Sequence, residues 1–179
     1  MKLPRAFYER SPLEVAPELL GKFLVHVTPE GTATGQINEV EIYSQDDPAS
    51  HTFRGKTPRN AVMFGKGGFA YVYFTYGMYF CMNVSTETEG IGSGVLIRSC
   101  IPVEGIGFMQ QRRGKSVHLC DGPGKLCQAF GLTREHNGID LTTSAELFIE
   151  DRGVQIEKYT LTPRIGISVA TDKLWRFVF

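Results

Sequence analysis

The chain has 179 residues, of which 42% are apolar and 21% charged; this excludes an intrinsically disordered chain and is enough to bury a sizeable core. Its formal net charge of zero argues against a protein that coats nucleic acid through bulk charge, so such contacts must come from local basic clusters. No apolar run reaches the roughly 18 residues that cross a bilayer, and residues 1–12 lack the features of a signal peptide, so we expect a cytoplasmic protein that is neither secreted nor membrane-bound.

The first third of the chain predicts a helix followed by two strands. The segment Ser11-Pro12-Leu13-Glu14 has the pattern of a capping box with proline at the first helical position. Pro17 predicts a short or broken helix that ends at Gly21, because a proline removes a backbone hydrogen bond. Strands are expected over residues 22–28 and, from the alternating pattern of GQINEVEIY, over residues 35–43.

The middle of the chain predicts a long loop, an aromatic hairpin, a strand and a helix. Residues 44–68 show no regular pattern, and a loop that long inside a compact domain is usually functional or disordered. The aromatic and β-branched residues of 71–84 predict two strands, and Gly77 between them predicts a tight turn. An apolar strand over 94–101 runs into a helix over about 103–113.

The last third predicts a short helix and two or three further strands. Gly122-Pro123-Gly124 opens the helix over residues 125–130, which Gly131 stops, and residues 174–179 form a strand that closes the sheet. Because helical crossovers are missing between most successive strands, the sheet is expected to be mainly antiparallel. We therefore expect one α+β domain over residues 1–179, with a curved sheet, peripheral helices and a protruding hairpin.

The cysteines and histidines predict no metal site. The four cysteines contain no C-x-x-C pair, and the four histidines are scattered along the chain. Zinc ligands in small domains commonly come in closely spaced pairs. We expect reduced thiols, no metal and no cofactor.

Two features of the chain suggest chemistry but each has an ordinary structural explanation. Tyr76 and Met78 stand at the hairpin tip, where a bulky side chain is unusual and where proteins of the minor groove carry wedges that unstack bases. Glu39, Glu41 and Tyr43 share one face of their strand, and they face either water or a cleft. Basic clusters at 54–59 and 112–115 are either solvated loops or contacts to nucleic acid.

Taken together, these segments resemble the alkyladenine (3-methyladenine) DNA glycosylases of the animal type, which also occur in bacteria. The resemblance runs from about Leu13 to the C-terminus, with four departures. Gly67 and Leu174 stand where proline is usual and are expected to loosen their loops. Val40 and Ile42 are bulkier than usual and are expected to reshape the pocket floor slightly. The motifs that carry it are Glu41-Ile42-Tyr43, Ala49–His51, Gly55–Asn60, Met63-Phe64, Tyr71–Asn83, Val95–Arg98, Gly122–Gln128, Arg164–Ile167 and Trp175–Phe177.

The resemblance implies a base-excision-repair enzyme that flips an alkylated or deaminated purine out of duplex DNA and hydrolyses its N-glycosidic bond. Glu41 would deprotonate the attacking water and stabilise the positive sugar, and Arg98 would orient that water or hold a phosphate. The expected base pocket consists of Tyr43, His51, Tyr73 and Asn83. Asn83 would clash with the exocyclic amine of guanine, and the aromatic rings would favour positively charged bases.

The remaining implied roles concern the DNA duplex. Tyr76 would fill the vacated stack with Met78 beside it, and Arg59 and Lys125 would contact phosphates. The pocket motifs contain no lysine, so we expect no Schiff base and no lyase activity, and we expect a monomer that leaves an abasic site. The substrates implied are duplexes carrying 3-methyladenine, hypoxanthine or ethenoadenine, and the sequence indicates no general acid for the neutral bases.

Two alternative functions use the same residues. A non-catalytic damage-binding or architectural protein would use the wedge and the pocket without turnover. A binder of single-stranded DNA or RNA would use the aromatic residues as stacking platforms, but it would need a more basic groove than a net charge of zero suggests.

Overall fold

Eight strands form one sheet in the computed structural model, which describes residues 1–179. They are β1 (Phe23–Thr28), β2 (Gly31–Tyr43), β3 (Ala70–Thr75), β4 (Tyr79–Ser85), β5 (Gly94–Glu104), β6 (Leu147–Glu150), β7 (Thr160–Thr162) and β8 (Arg176–Val178). All pairings are antiparallel, in the order β3-β4-β5-β2-β1-β6, and β8 pairs with both β2 and β7. The predicted α+β fold with a curved antiparallel sheet is confirmed.

Four short α-helices pack around this sheet. They are α1 (Arg5–Tyr8), α2 (Pro12–Leu19), α3 (Ile106–Arg113) and α4 (Pro123–Phe130), and 3-10 helices span Ala61–Phe64 and Arg134–His136. None of the helices combines the length and the apolar character that crossing a membrane requires. Helix α1 is absent from the sequence-based prediction because four residues are too few to show a helical period.

Helix α2 begins as the sequence predicts but is capped differently. The Ser11 hydroxyl accepts a hydrogen bond from the Leu13 N–H (3.3 Å) rather than from Glu14, so Ser11 is a simple cap and not half of a capping box. Pro17 lies inside the helix without breaking it, and the helix ends at Leu19, two residues before Gly21.

Strand β2 is the centre of the sheet. Its first half pairs with β1 and its second half with β8, while β5 follows it along the other edge. Glu41 consequently has Arg176 as its partner on one side and Leu96 on the other. Because both edges of β2 are hydrogen-bonded here, the position of the Glu41 backbone is fixed by two neighbouring strands.

Two element boundaries differ from the predicted ones because of pairing with neighbouring strands. Strand β2 begins at Gly31 and not at Gly35, because Gly31–Thr34 pair with Val25–Thr28 of β1. Strand β5 continues to Glu104, which pairs with Thr34. Helix α3 therefore starts only after Gly105, whose backbone is left-handed (φ 72°). A Cβ atom at Gly105 would lie 2.3 Å from the carbonyl oxygen of Thr32, so only glycine allows this close approach.

The main hydrophobic core comprises 30 buried side chains between the sheet and the helices. Val40 and Ile42 belong to this core and are fully buried in it. Since side chains alternate along a strand, Glu41 and Tyr43 point to the opposite face of the sheet. The C-terminal strand β8, which the sequence predicts to close the sheet, is not an edge strand. It lies between β2 and β7.

Candidate active site

A cavity of about 310 Å³ lies on the face of the sheet opposite the main core. Its size is at the low end of the roughly 300–1,000 Å³ typical of small-molecule sites. Seventeen residues line it, and those that were predicted as site residues are Tyr43, His51, Tyr73, Tyr76, Asn83 and Arg98. The fold therefore brings together residues from β2, β3, β4, β5, the 44–68 loop and the hairpin tip.

Glu41 lies directly beneath this cavity and has no exposed surface. Its Oε1 accepts a hydrogen bond from the Ile165 N–H (2.8 Å) and lies 3.3 Å from Nη1 of Arg98. Its Oε2 accepts from the Tyr43 hydroxyl (2.9 Å). Because Tyr43, Arg98 and Ile165 all line the cavity, Glu41 is separated from it only by the groups that bind its carboxylate.

Arg98 connects the two glutamates of β2. Its Nε donates to Oε1 of Glu39 (2.8 Å), which also accepts from Arg176. Burial disfavours the charge on Arg98, but the Glu41 and Glu39 carboxylates outweigh it and raise the pKa of the guanidinium. The Arg98 side chain is buried and lines the cavity, so its ion pair with Glu39 is not an exposed surface pair.

Tyr43 forms one wall of the cavity and is held from behind by Arg164. The Arg164 guanidinium lies 4.8 Å from the Tyr43 ring centroid and 5.2 Å from that of Trp175. Burial and the Glu41 carboxylate raise the pKa of Tyr43 well above its ordinary value. The hydroxyl therefore keeps its proton at neutral pH and can donate to Glu41.

The sequence assigns no individual role to Arg164, which in the structure packs behind the Tyr43 wall of the cavity. It forms a fully buried ion pair with Asp47 and donates to the carbonyl oxygen of Ile42 (2.8 Å). This pair anchors both the 44–68 loop and the segment around Ile165 to β2. Asp47 and Arg164 are 117 residues apart, so no local pattern reveals the pair.

The opposite wall of the cavity consists of His51 and two tyrosines. His51 Nδ1 lies 3.2 Å from the Tyr71 hydroxyl, and the His51 and Tyr73 rings are 4.6 Å apart in an edge-on arrangement. Burial, and then the nearby charge of Arg59, lower the pKa of His51. The ring is therefore neutral at neutral pH.

Asn83 is buried at the inner end of the cavity. Its Nδ2 donates a long hydrogen bond to the Tyr71 carbonyl oxygen (3.5 Å), on the neighbouring strand β3. The weak bond leaves the amide free to contact a ligand that enters the cavity.

The hairpin tip places Tyr76 and Met78 in solvent, where they are 79% and 65% exposed. Tyr76 has a left-handed backbone (φ 53°) followed by Gly77 (φ 64°). A bulky residue in this conformation stores strain, and such strain is concentrated at functional sites. Tyr76 also lines the cavity, and its hydroxyl lies near Gly166, where a Cβ atom would be 3.8 Å from it. Met78 does not line the cavity.

Arg59 and Lys125 lie outside the cavity lining. Arg59 donates to the carbonyl oxygen of Phe74 (3.2 Å) and lies over the Tyr73 ring at 5.6 Å. Lys125, in the first turn of α4, pairs with Asp121 (2.9 Å) and remains partly exposed. Pro123 from the start of α4 does line the cavity, so Lys125 lies close to its rim.

The structure corrects two expectations about the departures from the family pattern. Val40 and Ile42 do not shape the pocket floor, because both side chains are buried in the main core and do not line the cavity. Gly67 does not loosen its loop, because its N–H donates to the Glu87 carbonyl oxygen (3.1 Å) and a Cβ atom there would lie 2.7 Å from the Tyr8 carbonyl oxygen.

Comparison with known proteins gives a consistent result. The family model described as "Methylpurine-DNA glycosylase (MPG)" matches residues 6–179. Several relatives carry the provisional name of 3-methyladenine DNA glycosylase. Those from Ehrlichia ruminantium (strain Welgevonden), Rhodopseudomonas palustris (strain BisB18) and Methanocella arvoryzae are 46%, 48% and 46% identical to this chain. Each alignment covers 98% of this chain, and 88%, 86% and 90% of the respective relative.

Proposed function

The chain belongs to the methylpurine-DNA glycosylase family, and on this premise we propose that it excises alkylated or deaminated purines from duplex DNA by a Glu41-activated water. The proposal covers 3-methyladenine, hypoxanthine and ethenoadenine, and the product is an abasic site. The observation that carries it is the buried Glu41 carboxylate beneath an aromatic cavity, held by an arginine that lines the same cavity.

The attacking water is proposed to bind between Glu41 and Arg98. Their contact of 3.3 Å is the longest of the three that Glu41 makes, so it is the easiest to open. A water there would donate to the carboxylate and accept from the guanidinium. As the N-glycosidic bond breaks, its electron pair leaves with the base, and the carboxylate stabilises the positive charge that develops on the sugar. The oxygen of the water bonds to C1′ while the carboxylate takes its proton. A cationic base leaves as a neutral molecule, whereas a neutral base takes up a proton.

The extruded base is proposed to lie between Tyr43 and the His51–Tyr73 wall. Aromatic faces attract positively charged alkylated purines more strongly than neutral ones. Asn83 would meet the exocyclic amine of guanine and so reject the normal base. None of the lining residues is a lysine, which supports hydrolysis without a Schiff base and hence without lyase activity.

The hairpin tip is proposed to enter the duplex where the base has left it, with Tyr76 in the stack and Met78 beside it. Arg59 and Lys125 would contact the flanking phosphates, and Lys125 would exchange Asp121 for a phosphate. One cavity made by one chain supports a monomer as the acting species.

The proposal is tested with duplex oligonucleotides that carry one hypoxanthine opposite thymine or one alkylated purine. Strand cleavage that appears only after alkali treatment is expected, since a monofunctional glycosylase leaves the sugar intact. Cleavage without alkali, or trapping of a covalent adduct by borohydride, would contradict the absence of lyase activity. Binding of the damaged duplex without release of any base would favour the non-catalytic alternative.

Acidification is expected to reduce excision of cationic lesions more than of neutral ones. Because the pKa of His51 lies below its ordinary value of about 6.5, the ring is neutral at pH 7 and gains its proton only in more acidic solution. An imidazolium beside the base would then repel a positively charged purine. The measurement is the ratio of single-turnover rates for 3-methyladenine and hypoxanthine as the pH falls. The ratio should bend downward in the wild type and not in His51→Gln; an identical bend in both would exclude His51 as the cause.

Replacing Tyr76 with alanine is expected to weaken binding of the hypoxanthine duplex without destabilising the protein. Base–aromatic stacking contributes about 1–3 kcal/mol, which corresponds to roughly 5- to 150-fold in affinity. The side chain is mostly exposed, so the melting temperature should not fall. Fluorescence anisotropy measures the affinity, and Tyr159→Ala, which removes a partly exposed tyrosine away from the hairpin, is the control. Equal losses for the two variants would contradict a wedge at Tyr76.

A further inference from the structure

Two of the four histidines meet in the fold although they are 110 residues apart. Nε2 of His26, on β1, lies 3.1 Å from Nε2 of His136, at the end of the 3-10 helix Arg134–His136. Oε1 of Glu146, the residue before β6, lies 3.6 Å from both nitrogens. Both rings are buried, whereas Glu146 is exposed. The sequence predicts no metal site because the histidines are scattered along the chain. The fold nevertheless brings two of them into contact.

From this cluster we infer a binding site for a divalent transition-metal ion, with zinc as the representative, held by His26, His136 and Glu146. A point equidistant from three atoms at these separations lies about 2.0 Å from each, which is the length of Zn–N and Zn–O bonds in proteins. Two imidazoles and a carboxylate are donors that suit zinc and its neighbours in the transition series better than magnesium or calcium.

The His26 ring is already in the form that a metal ligand requires. Its Nδ1 lies 2.6 Å from the Phe130 carbonyl oxygen and therefore donates its proton there. Nε2 consequently carries the free electron pair. In metal-binding histidines, the ring nitrogen that does not bind the metal commonly donates to a carbonyl oxygen, and this bond orients the ring.

The His136 ring changes its protonated nitrogen when the metal binds. In the metal-free arrangement its Nδ1 accepts from the Thr133 N–H (3.0 Å), so Nε2 carries the proton that points to His26. Metal binding moves that proton to Nδ1, so the ring gives up its bond from the Thr133 N–H. A small turn of the ring then lets Nδ1 donate to the hydroxyl or the carbonyl oxygen of Thr133, both at 3.4 Å. The ring stays neutral, and the metal takes the place of the proton between the two imidazoles.

The site is open on one side and connects separate parts of the chain. The three ligands line a surface groove with Glu30 and Arg112, and Arg112 pairs with Glu30 (3.7 Å). A fourth ligand, such as water, can therefore reach the metal from solvent. The ion would tie β1, the 3-10 helix and the start of β6 together, and it shares no residue with the base cavity, so the inference does not depend on the proposed function.

The test is zinc retention by the full-length protein. After treatment with a chelator, the protein is incubated with zinc, passed through a desalting column and analysed for metal. One equivalent of zinc and a rise in melting temperature are expected for the wild type. Glu146→Gln alters an exposed side chain and so leaves the fold intact, and it should weaken zinc binding at least about tenfold. X-ray absorption at the zinc edge of the wild type should show two imidazole ligands.

The control is His118→Gln. His118 is exposed and lies 2.6 Å from Asp121, so it represents the surface site that would bind zinc weakly without a built geometry. This variant should retain zinc as the wild type does. Retention that is unchanged in Glu146→Gln, or that is lost in His118→Gln, would overturn the inference, as would the absence of retained zinc in the wild type.

Discussion

Replacing Glu41 with glutamine is expected to lower the single-turnover rate of base excision by about 10²- to 10⁴-fold, the usual contribution of a general base. Glutamine fills the same volume and can still accept from the Ile165 N–H, but it cannot take a proton from water. Since Glu41 does not line the cavity, affinity for a hypoxanthine duplex should change little. The rate is measured by alkali cleavage under single-turnover conditions and the affinity by anisotropy.

Two further variants make the Glu41 experiment decisive. Glu104→Gln removes an exposed carboxylate at the end of β5 and should leave the rate unchanged. Glu39→Gln removes the negative charge that pairs with Arg98 and leaves the lining of the cavity unchanged. The rate of this variant should therefore lie between those of the wild type and Glu41→Gln. A Glu41→Gln enzyme as fast as the wild type would assign the activation of water to another group. A loss of duplex binding in parallel with the rate would indicate that Glu41 holds the pocket in shape.

Replacing Asp47 with asparagine is expected to lower the free energy of unfolding by about 3–5 kcal/mol, because it leaves the buried Arg164 charge without its partner. Lys173, at 3.8 Å from Asp47 and partly exposed, can turn toward solvent and adds little to this loss. Urea unfolding of the wild type and the variant measures the difference.

The double variant Asp47→Asn, Arg164→Met separates the charge effect from the loss of packing. It removes both ions and should recover part of the lost stability, although the bonds from Arg164 to the Ile42 and Ala170 carbonyl oxygens are gone. Arg152→Met breaks two partly exposed ion pairs, with Glu104 and Glu150, and should cost about 1 kcal/mol or less. If Asp47→Asn were no worse than Arg152→Met, the buried pair would not be what anchors the loop.

The parts of the fold that follow from local patterns were predictable from the sequence. The hairpin is one of them, because aromatic and β-branched residues on both sides of Gly77 admit few other structures. The alternation in β2 also predicts correctly that Glu41 and Tyr43 lie on the face opposite Val40 and Ile42. The sequence left open whether this face of β2 meets water or a cleft. In the structure it borders the cavity.

Other parts depend on contacts between distant segments and were not predictable. The loop at 44–68 has no regular pattern, but Asp47 within it forms a buried ion pair with Arg164 from the last part of the chain. Strand β2 starts at Gly31 because Gly31–Thr34 pair with β1, and β5 continues to Glu104, which pairs with Thr34. His26 and His136 meet for the same reason, since the fold places a residue of β1 beside one of a 3-10 helix.

The position of β2 at the centre of the sheet has a consequence for the dynamics of the molecule. Around Glu41 the backbone is bonded to strands on both edges, so its amide protons should exchange with solvent only through large-scale opening. The hairpin tip has no such neighbours, and motions there on the nanosecond to microsecond scale leave β2 undisturbed. Under the proposed function, the hairpin tip could therefore deform repeatedly against intact base pairs while the Glu41 carboxylate stays in place.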